Sequence, residues 1–354
     1  MIKQLFKDIK ISVLMPVYNG AQYLKCAIES ILNQTLTDLE FIIINDGSTD
    51  DSVNIIKSYT DPRIRLVHNE TNLGLIASLN KGIEQAKGEY IARMDCDDIS
   101  LPERLSKQAA FLDRHPEVGI CGTWFRSIGD ESGLVCRFPT DPDLFRSELL
   151  FDSVIGHPSV MFRRKLFQDG NLYYDPAFRH AEDFELWSRA VDHCEVCSLP
   201  EMLVLYRYHS SQVSQQRADE QKATAGKVRL AQIRRLGIEP SEDELLLHQS
   251  FGSLTHQDNP SFFVGAGAWL NKLKKANDSQ KIYPEPQFSY VLCERWFRLC
   301  LRSIIQGQWT WRIFSPPKAV VNAWTGLSYT FKFTYQHLFD YVSKMVYQCK
   351  RSHY

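Results

Sequence analysis

Residues 11–46 read "ISVLMPVYNGAQYLKCAIESILNQTLTDLEFIIIND", and the two ends of this stretch decide the fold. "ISVLMPV" (11–17) and "EFIIIND" (40–46) are continuous β-rich apolar runs, as expected of strands covered on both faces. Between them Leu24, Ala27, Ile28, Ile31 and Leu32 recur at helical spacing. The unit is strand, helix, strand. It then repeats. "GSTDDS" (47–52) offers N-cap residues and acids for a first helical turn, opening a helix through about Tyr59. "RIRLVHN" (63–69) reads as a strand, "LGLIASLNKGIEQAKG" (73–88) as a helix and "EYIARMD" (89–95) as a fourth strand. Such alternation predicts an α/β fold with a mostly parallel central sheet and helices on both faces. Ligands in open sheets of this kind bind beyond the carboxyl ends of the strands, where Asn19, Asp46 and Asp95 fall.

Further along, "LPERLSKQAAFLDRHP" (101–116) predicts a helix with Pro102 in its first turn. "VGICGTWFRSIG" (118–129) predicts a strand, "DPDLFRSELLF" (141–151) a helix, and "HPSVMFRRKLF" (157–167) a strand running into a helix. "HAEDFELWSRAV" (180–191) is an amphipathic helix with its acids at the start, and "MLVLYRYHSSQVS" (202–214) a strand ending in a polar loop. These elements place a first domain at 1–215 and a mainly helical region at 216–354.

Bulk composition narrows the function classes. The 354 residues are 44% hydrophobic and 23% charged, with a formal net charge of −1, so nucleic acid is not the expected partner. Nine cysteines stand at irregular spacing, which suits reduced thiols. Cys194 and Cys197 form one C-x-x-C without the second pair that a zinc site wants. The amino terminus carries no signal-peptide pattern, and no apolar run reaches the 18 or so residues of a spanning helix. A soluble or peripherally attached protein is expected.

No G-x-G-x-x-G follows the first strand and no phosphate-loop motif is present, which disfavours a nicotinamide dehydrogenase or a P-loop kinase. The strand ends carry instead "PVYNG" (16–20), "NDGSTDDS" (45–52), "NLGLIASLNKG" (72–82) and "MDCDD" (94–98), followed by "HAED" (180–183). Asp95, Asp97 and Asp98 crowd three carboxylates into four positions. Two unit charges at ~4 Å repel by about 4 kcal/mol at an effective dielectric near 20, so acids held together call for a cation.

In this order and spacing the motifs strongly resemble the family 2 glycosyltransferases, over about residues 10–215. The resemblance implies a nucleotide-diphospho-sugar transferase fold of the GT-A type and an inverting, metal-dependent transfer. A hexose or N-acetylhexosamine would pass from a nucleotide-diphosphate sugar, expected to be a UDP-sugar, to a saccharide acceptor in surface polysaccharide synthesis. It implies that Pro16, Tyr18 and Asn19 line the base pocket and that Asp46 bonds the base edge. Asn72 and Asn80 would lie near the nucleotide, Asn80 having the second reading of a helix-surface residue. Asp95 would contact the ribose and Asp97 would bind Mn²⁺ or Mg²⁺, for which oxygen ligands are suited. Cys96 stands where a small apolar residue is expected. Asp98 is read as a helix cap or loop support. Asp183 matches the family's general base, with Glu182 as partner or substitute, although the same acids would also suit a helix amino end. His209 would approach the metal or phosphates, the other reading being a surface histidine. His157 is either close to the acceptor or part of a turn. Two further readings are transfer to a polyprenyl phosphate, and an inactive protein that binds nucleotide-sugar or glycan.

Residues 295–354 hold nine Lys or Arg against one acid, Asp340, together with Trp296, Trp309, Trp311 and Trp324. Interleaved cations and aromatics suit an anionic membrane surface, and they equally suit a helical region packed on the protein or on a second subunit. The expected location is cytoplasmic, with peripheral contact at the inner face of the plasma membrane.

Overall fold

The computed structural model describes residues 9–130, 133–170, 172–210, 212, 216–253, 260–305 and 317–318. The chain divides into two compact units, one of residues 1–140 and 155–221, the other of residues 141–154 and 222–354.

The first unit is built on a nine-stranded sheet. Its strands are β1 (Ile11–Val17), β2 (Leu39–Asp46), β3 (Ile64–Asn69), β4 (Tyr90–Arg93), β5 (Ile99–Ser100), β6 (Val118–Gly129), β7 (Val135–Cys136), β8 (Met161–Arg163) and β9 (Glu195–Tyr208). The order is β3-β2-β1-β4-β8-β6-β9-β5, with β7 paired to β6. Every residue of β1, β2 and β4 is buried, which is why their sequences run apolar without alternation. β3, at the edge, is only partly covered.

Helices α1 (Ala21–Leu32), α2 (Ser52–Lys57), α3 (Leu75–Gln85) and α4 (Arg104–Arg114) supply the crossovers among the first strands, and α6 (Arg164–Gly170) and α7 (Glu182–Ala190) follow later in the chain. Leu24, Ala27, Ile28 and Ile31 of α1 share one apolar cluster with β1 and β2, each Ile or Leu contributing about 1.5–3 kcal/mol by burial.

The sheet is parallel from β3 through β4 and mixed beyond. β8 runs antiparallel to both β4 and β6, while β6 and β9 pair in parallel over a long bulged ladder. The expected parallel character therefore belongs to the first four strands. Between β7 and β8 the chain passes through a helix at 142–148 and a single helical turn at 157–159, and β8 enters the sheet between β4 and β6.

The second unit is helical. It contains α5 (Pro142–Glu148), most of α8 (Ala218–Arg235), α9 (Glu242–Ser253), α10 (Pro260–Gln280) and α11 (Gln287–Ile305). Residues 141–154 lie inside the first domain in sequence yet cluster here, because Leu144, Leu150 and Phe151 join the apolar core of Ile233, Phe251, Trp269, Phe288 and Trp296. Trp296, one of the aromatics read as membrane-facing, is 2% exposed in that core. Trp309, Trp311 and Trp324 lie outside the described residues. Among the described residues no helix is long and apolar enough to cross a membrane.

Candidate active site

The loops at the ends of β1, β2 and β3 are tied to one another. Asn19 sits at φ +50°, a conformation asparagine tolerates better than most residues, and its Oδ1 accepts from Thr49 N at 2.8 Å. Its own N–H donates to Ser48 Oγ at 3.1 Å. Gly47, at φ +70°, leaves room where a Cβ would stand 2.7 Å from the Asn72 nitrogen. Asp46 is buried and accepts three hydrogen bonds, from Asn69 Nδ2 at 2.7 Å, Leu73 N at 2.9 Å and Gly74 N at 2.8 Å. Its carboxylate therefore shapes the 72–74 loop. Pro16 is buried within β1, whereas Tyr18, Asn19 and Asn72 are exposed at the strand ends.

The acidic cluster follows β4. Asp95, Asp97 and Asp98 can each offer an oxygen within 4.8 Å of the others, and no other such group occurs among the described residues. Cys194 and Cys197 lie outside it. Arg93, 3% exposed, donates through Nη1 to Asp95 Oδ2. Burial pushes the Asp95 carboxyl up to about 6, against the pull of Arg93 and with help from Asp97. Asp98 is 1% exposed, and burial with the charges of Asp95 and Asp97 raises its pKa well above the usual range. One of its oxygens accepts from Arg207 N at 2.8 Å, while Oδ2 is buried with no hydrogen-bond partner among the described residues. Asp98 thus supports the loop rather than capping a helix.

The end of β9 clasps this loop. His209 Nε2 lies 3.0 Å from Asp97 Oδ2, and Arg207 Nε donates to the Asp97 carbonyl at 2.8 Å. Both rings of contact close on Tyr23, with the Arg207 guanidinium 4.5 Å over its ring and the His209 ring 5.0 Å away. A Cβ on Gly20 would meet Cys96 Sγ at 2.8 Å, so the "PVYNG" turn packs directly on the acidic loop.

Glu182 and Asp183 open α7. Glu182 is 7% exposed, and burial followed by the Asp183 charge pushes its carboxyl up to about 7. Asp183 is half-buried, and its Oδ1 accepts from Phe184 N at 2.8 Å. The charge of Asp183 also reaches Asp95, which places the two acidic groups in one electrostatic neighbourhood. Tyr174, 2% exposed, feels Arg93, Asp183, Glu182 and Asp95 together. Its hydroxyl lies 2.8 Å from His157 Nε2.

Asn80, on α3, bonds to the backbone of Tyr174. Its Nδ2 donates to the Tyr174 carbonyl at 2.9 Å and its Oδ1 accepts from the Tyr174 N–H at 3.0 Å. Both polar ends are engaged, so Asn80 clamps the 174 loop. Asn80→Ala should cost about 1–3 kcal/mol of stability in thermal unfolding while leaving UDP affinity within about twofold. A large loss of affinity at unchanged stability would return Asn80 to the nucleotide.

The raised Glu182 carboxyl carries a pH signature. Its folded value of about 7 exceeds the usual 4.5, so the folded protein holds the extra proton between the two. Its contribution to stability is present below 4.5 and is lost as pH rises through about 7. Turnover that needs the ionised pair should rise along a limb with an apparent pKa near 7 and then level off. A pH–rate profile flat from 5 to 9 would contradict this.

Arg93, Tyr174 and Arg207 did not stand out in the sequence. Arg93 had a visible signal, the one charge in the buried run "YIAR". Tyr174 had none.

Comparison with known proteins agrees with this architecture. The family model described as glycosyl transferase family 2 matches residues 12–170. An uncharacterized glycosyltransferase of Haemophilus influenzae is 33% identical over 235 residues, covering 63% of this chain and 73% of that protein. The O-antigen biosynthesis glycosyltransferase WbnJ of Escherichia coli is 32% identical over 207 residues, covering 56% of this chain and 80% of WbnJ. Among solved structures, residues 1–349 of S. aureus TarS in complex with UDP-GlcNAc superpose with a TM-score of 0.57 at 19% identity, covering 85% and 93% of the two chains. That likeness is one of fold. With the family model and these relatives in agreement, the chain belongs to glycosyl transferase family 2.

Proposed function

We propose that the chain moves a hexosyl or N-acetylhexosaminyl group from a UDP-sugar to a saccharide hydroxyl, with inversion, in surface polysaccharide synthesis. The observation that carries this reading is the joining of two acidic groups in one unit. Asp95, Asp97 and Asp98 lie under the His209 clasp, and Glu182 and Asp183 lie within electrostatic reach of Asp95. A relative named for O-antigen biosynthesis, and a fold neighbour complexed with UDP-GlcNAc, support the substrate class.

The residues fit a divalent cation. Their donors are hard carboxylate oxygens and an imidazole nitrogen, and burial with the crowding of Asp95, Asp97 and Asp98 raises the Asp95 and Asp98 pKa values, a crowding that a bound cation would relieve. Asp97 and His209 would hold the ion, with Asp95 beside it. A bound Mn²⁺ or Mg²⁺ supplies charge neutralisation of the departing diphosphate.

The protein's own groups carry the remaining steps. The exposed loop of Tyr18, Asn19 and Asn72, shaped from behind by Asp46, receives the nucleoside. Asp183 takes the proton from the acceptor hydroxyl as that oxygen bonds to the sugar carbon. The bond from that carbon to the diphosphate oxygen breaks in the same step, and its electron pair leaves with the diphosphate. One displacement inverts the centre. Glu182, sharing charge with Asp183, keeps the pair's proton affinity near neutrality.

The test is a panel of nucleotide-sugars assayed for nucleotide release with Mn²⁺ and with chelator. One UDP-sugar turned over only with metal is expected; equal release under chelation would remove the metal from the account. Peripheral membrane contact is part of the same proposal, resting on the basic, aromatic composition of residues 295–354. The full chain should co-sediment with anionic vesicles and be released by salt, and it should ignore neutral vesicles. Equal recovery with both lipids would remove the idea.

A further inference from the structure

His157 and Tyr174 form a part-buried pair that the steps above do not use. Their Nε2 and Oη atoms lie 2.8 Å apart, with ring centroids 5.5 Å apart. The Trp187 ring, from the base-bearing helix α7, meets the His157 ring edge-on at 6.0 Å. Asn80 pins the Tyr174 backbone from both sides. The pair is thus held between Trp187 and Asn80, with Tyr174 within electrostatic reach of Arg93, Asp183, Glu182 and Asp95 and His157 within that of Arg93.

Proton accounting fixes the orientation of this pair. Burial, with the nearby charge of Arg93, holds the His157 pKa well below its usual value, so the ring is neutral and carries one N–H. The Tyr174 hydroxyl is enclosed, and His157 is its one hydrogen-bond partner among the described residues. If His157 donated to Tyr174, the phenolic proton would be buried without an acceptor, a costly arrangement. The phenol therefore donates to Nε2, and the imidazole proton resides on Nδ1. His157 is half-buried, and Nδ1 is not among the enclosed atoms that lack a partner.

We infer that His157 presents its Nδ1–H to a sugar hydroxyl beside the Glu182–Asp183 pair, with Tyr174 as the positioning residue that fixes the tautomer. A neutral donor is suited to this place. It can grip an uncharged hydroxyl without adding a cation that would pair with the base. The inference rests on the transferase reading of the site.

Two substitutions separate the ring's two nitrogens. In His157→Gln the amide reaches the Nε2 position toward Tyr174 and leaves nothing at Nδ1; in His157→Asn the amide N–H lies near Nδ1. Thermal unfolding of both checks the fold, and UDP release is measured from the preferred UDP-sugar, in buffer and with p-nitrophenyl glycosides as acceptor probes. We expect His157→Gln to lose about 10- to 100-fold in kcat/KM and His157→Asn to recover most of it. A loss in both assays assigns the hydroxyl to the donor sugar, and a loss only with added glycoside assigns it to the acceptor. Equal losses in the two variants, or Gln within twofold of wild type, would overturn the inference. Histidine ¹⁵N spectra give a readout that needs no turnover: wild-type His157 should be the neutral Nδ1–H tautomer, and Tyr174→Phe should shift it toward Nε2–H. An Nε2–H or charged ring in the wild type overturns the inference as well. A wild-type chain that turns over no donor refutes the proposed function instead, and the spectra then decide the pair alone.

Discussion

Asp97→Asn should lower metal-dependent turnover about a thousandfold or more, because in the proposed site it would remove one anionic ligand from an ion asked to supply several kcal/mol. The change is small in every other respect. The amide is nearly isosteric, and the Asp97 side chain is 24% exposed with His209 as its near neighbour. The backbone there is held through the carbonyl by Arg207, a bond the substitution keeps. Unfolding temperature should therefore hardly change, and the loss should appear as weaker Mn²⁺ binding, read by paramagnetic resonance alongside UDP release. Full turnover in the variant would mean that Asp97 holds no ion.

Asp183→Asn should lower turnover by about 10²–10⁴-fold, the usual contribution of a positioned base. UDP binding should persist, since Asp183 sits on α7 and the loops proposed to receive the nucleoside belong to the ends of β1 to β3. A second consequence separates this base from its neighbour. The Asp183 charge is one of the causes that push Glu182 up to about 7, so removing it should lower the Glu182 pKa and move the residual pH limb to lower pH. If Asp183→Asn stays within about tenfold of wild type while Glu182→Gln collapses, the base is Glu182.

The parts of this molecule that could be read from sequence are those written in local pattern. The apolar runs of β1 and β2, the helical spacing in α1 and the Gly–Ser–Thr–Asp turn after β2 each declare themselves within ten or so residues. So the α/β order was visible, and with it the strand ends where ligands gather. What stayed hidden depends on partners far apart in the chain. Asp97 meets His209 across 112 positions, and Asn80 meets Tyr174 across 94. No periodicity encodes either meeting. Asn80 illustrates the result: a polar residue in the motif whose amide bonds at both ends to a loop the motif does not mention. The reversal at β8 and the passage of 141–154 into the second unit were hidden for the same reason. Strand direction and unit membership follow from long-range packing, and Leu150 and Phe151 look like any other apolar pair until Trp269 and Trp296 surround them.

Manganese anomalous diffraction from crystals grown with Mn²⁺ and UDP tests the central claim most directly. The account predicts one strong anomalous peak between the Asp97 carboxylate, the His209 ring and the UDP diphosphate, with the uracil against the loop of Tyr18, Asn19 and Asn72. A peak elsewhere, or UDP bound at the strand ends with no metal beside Asp97, would contradict it.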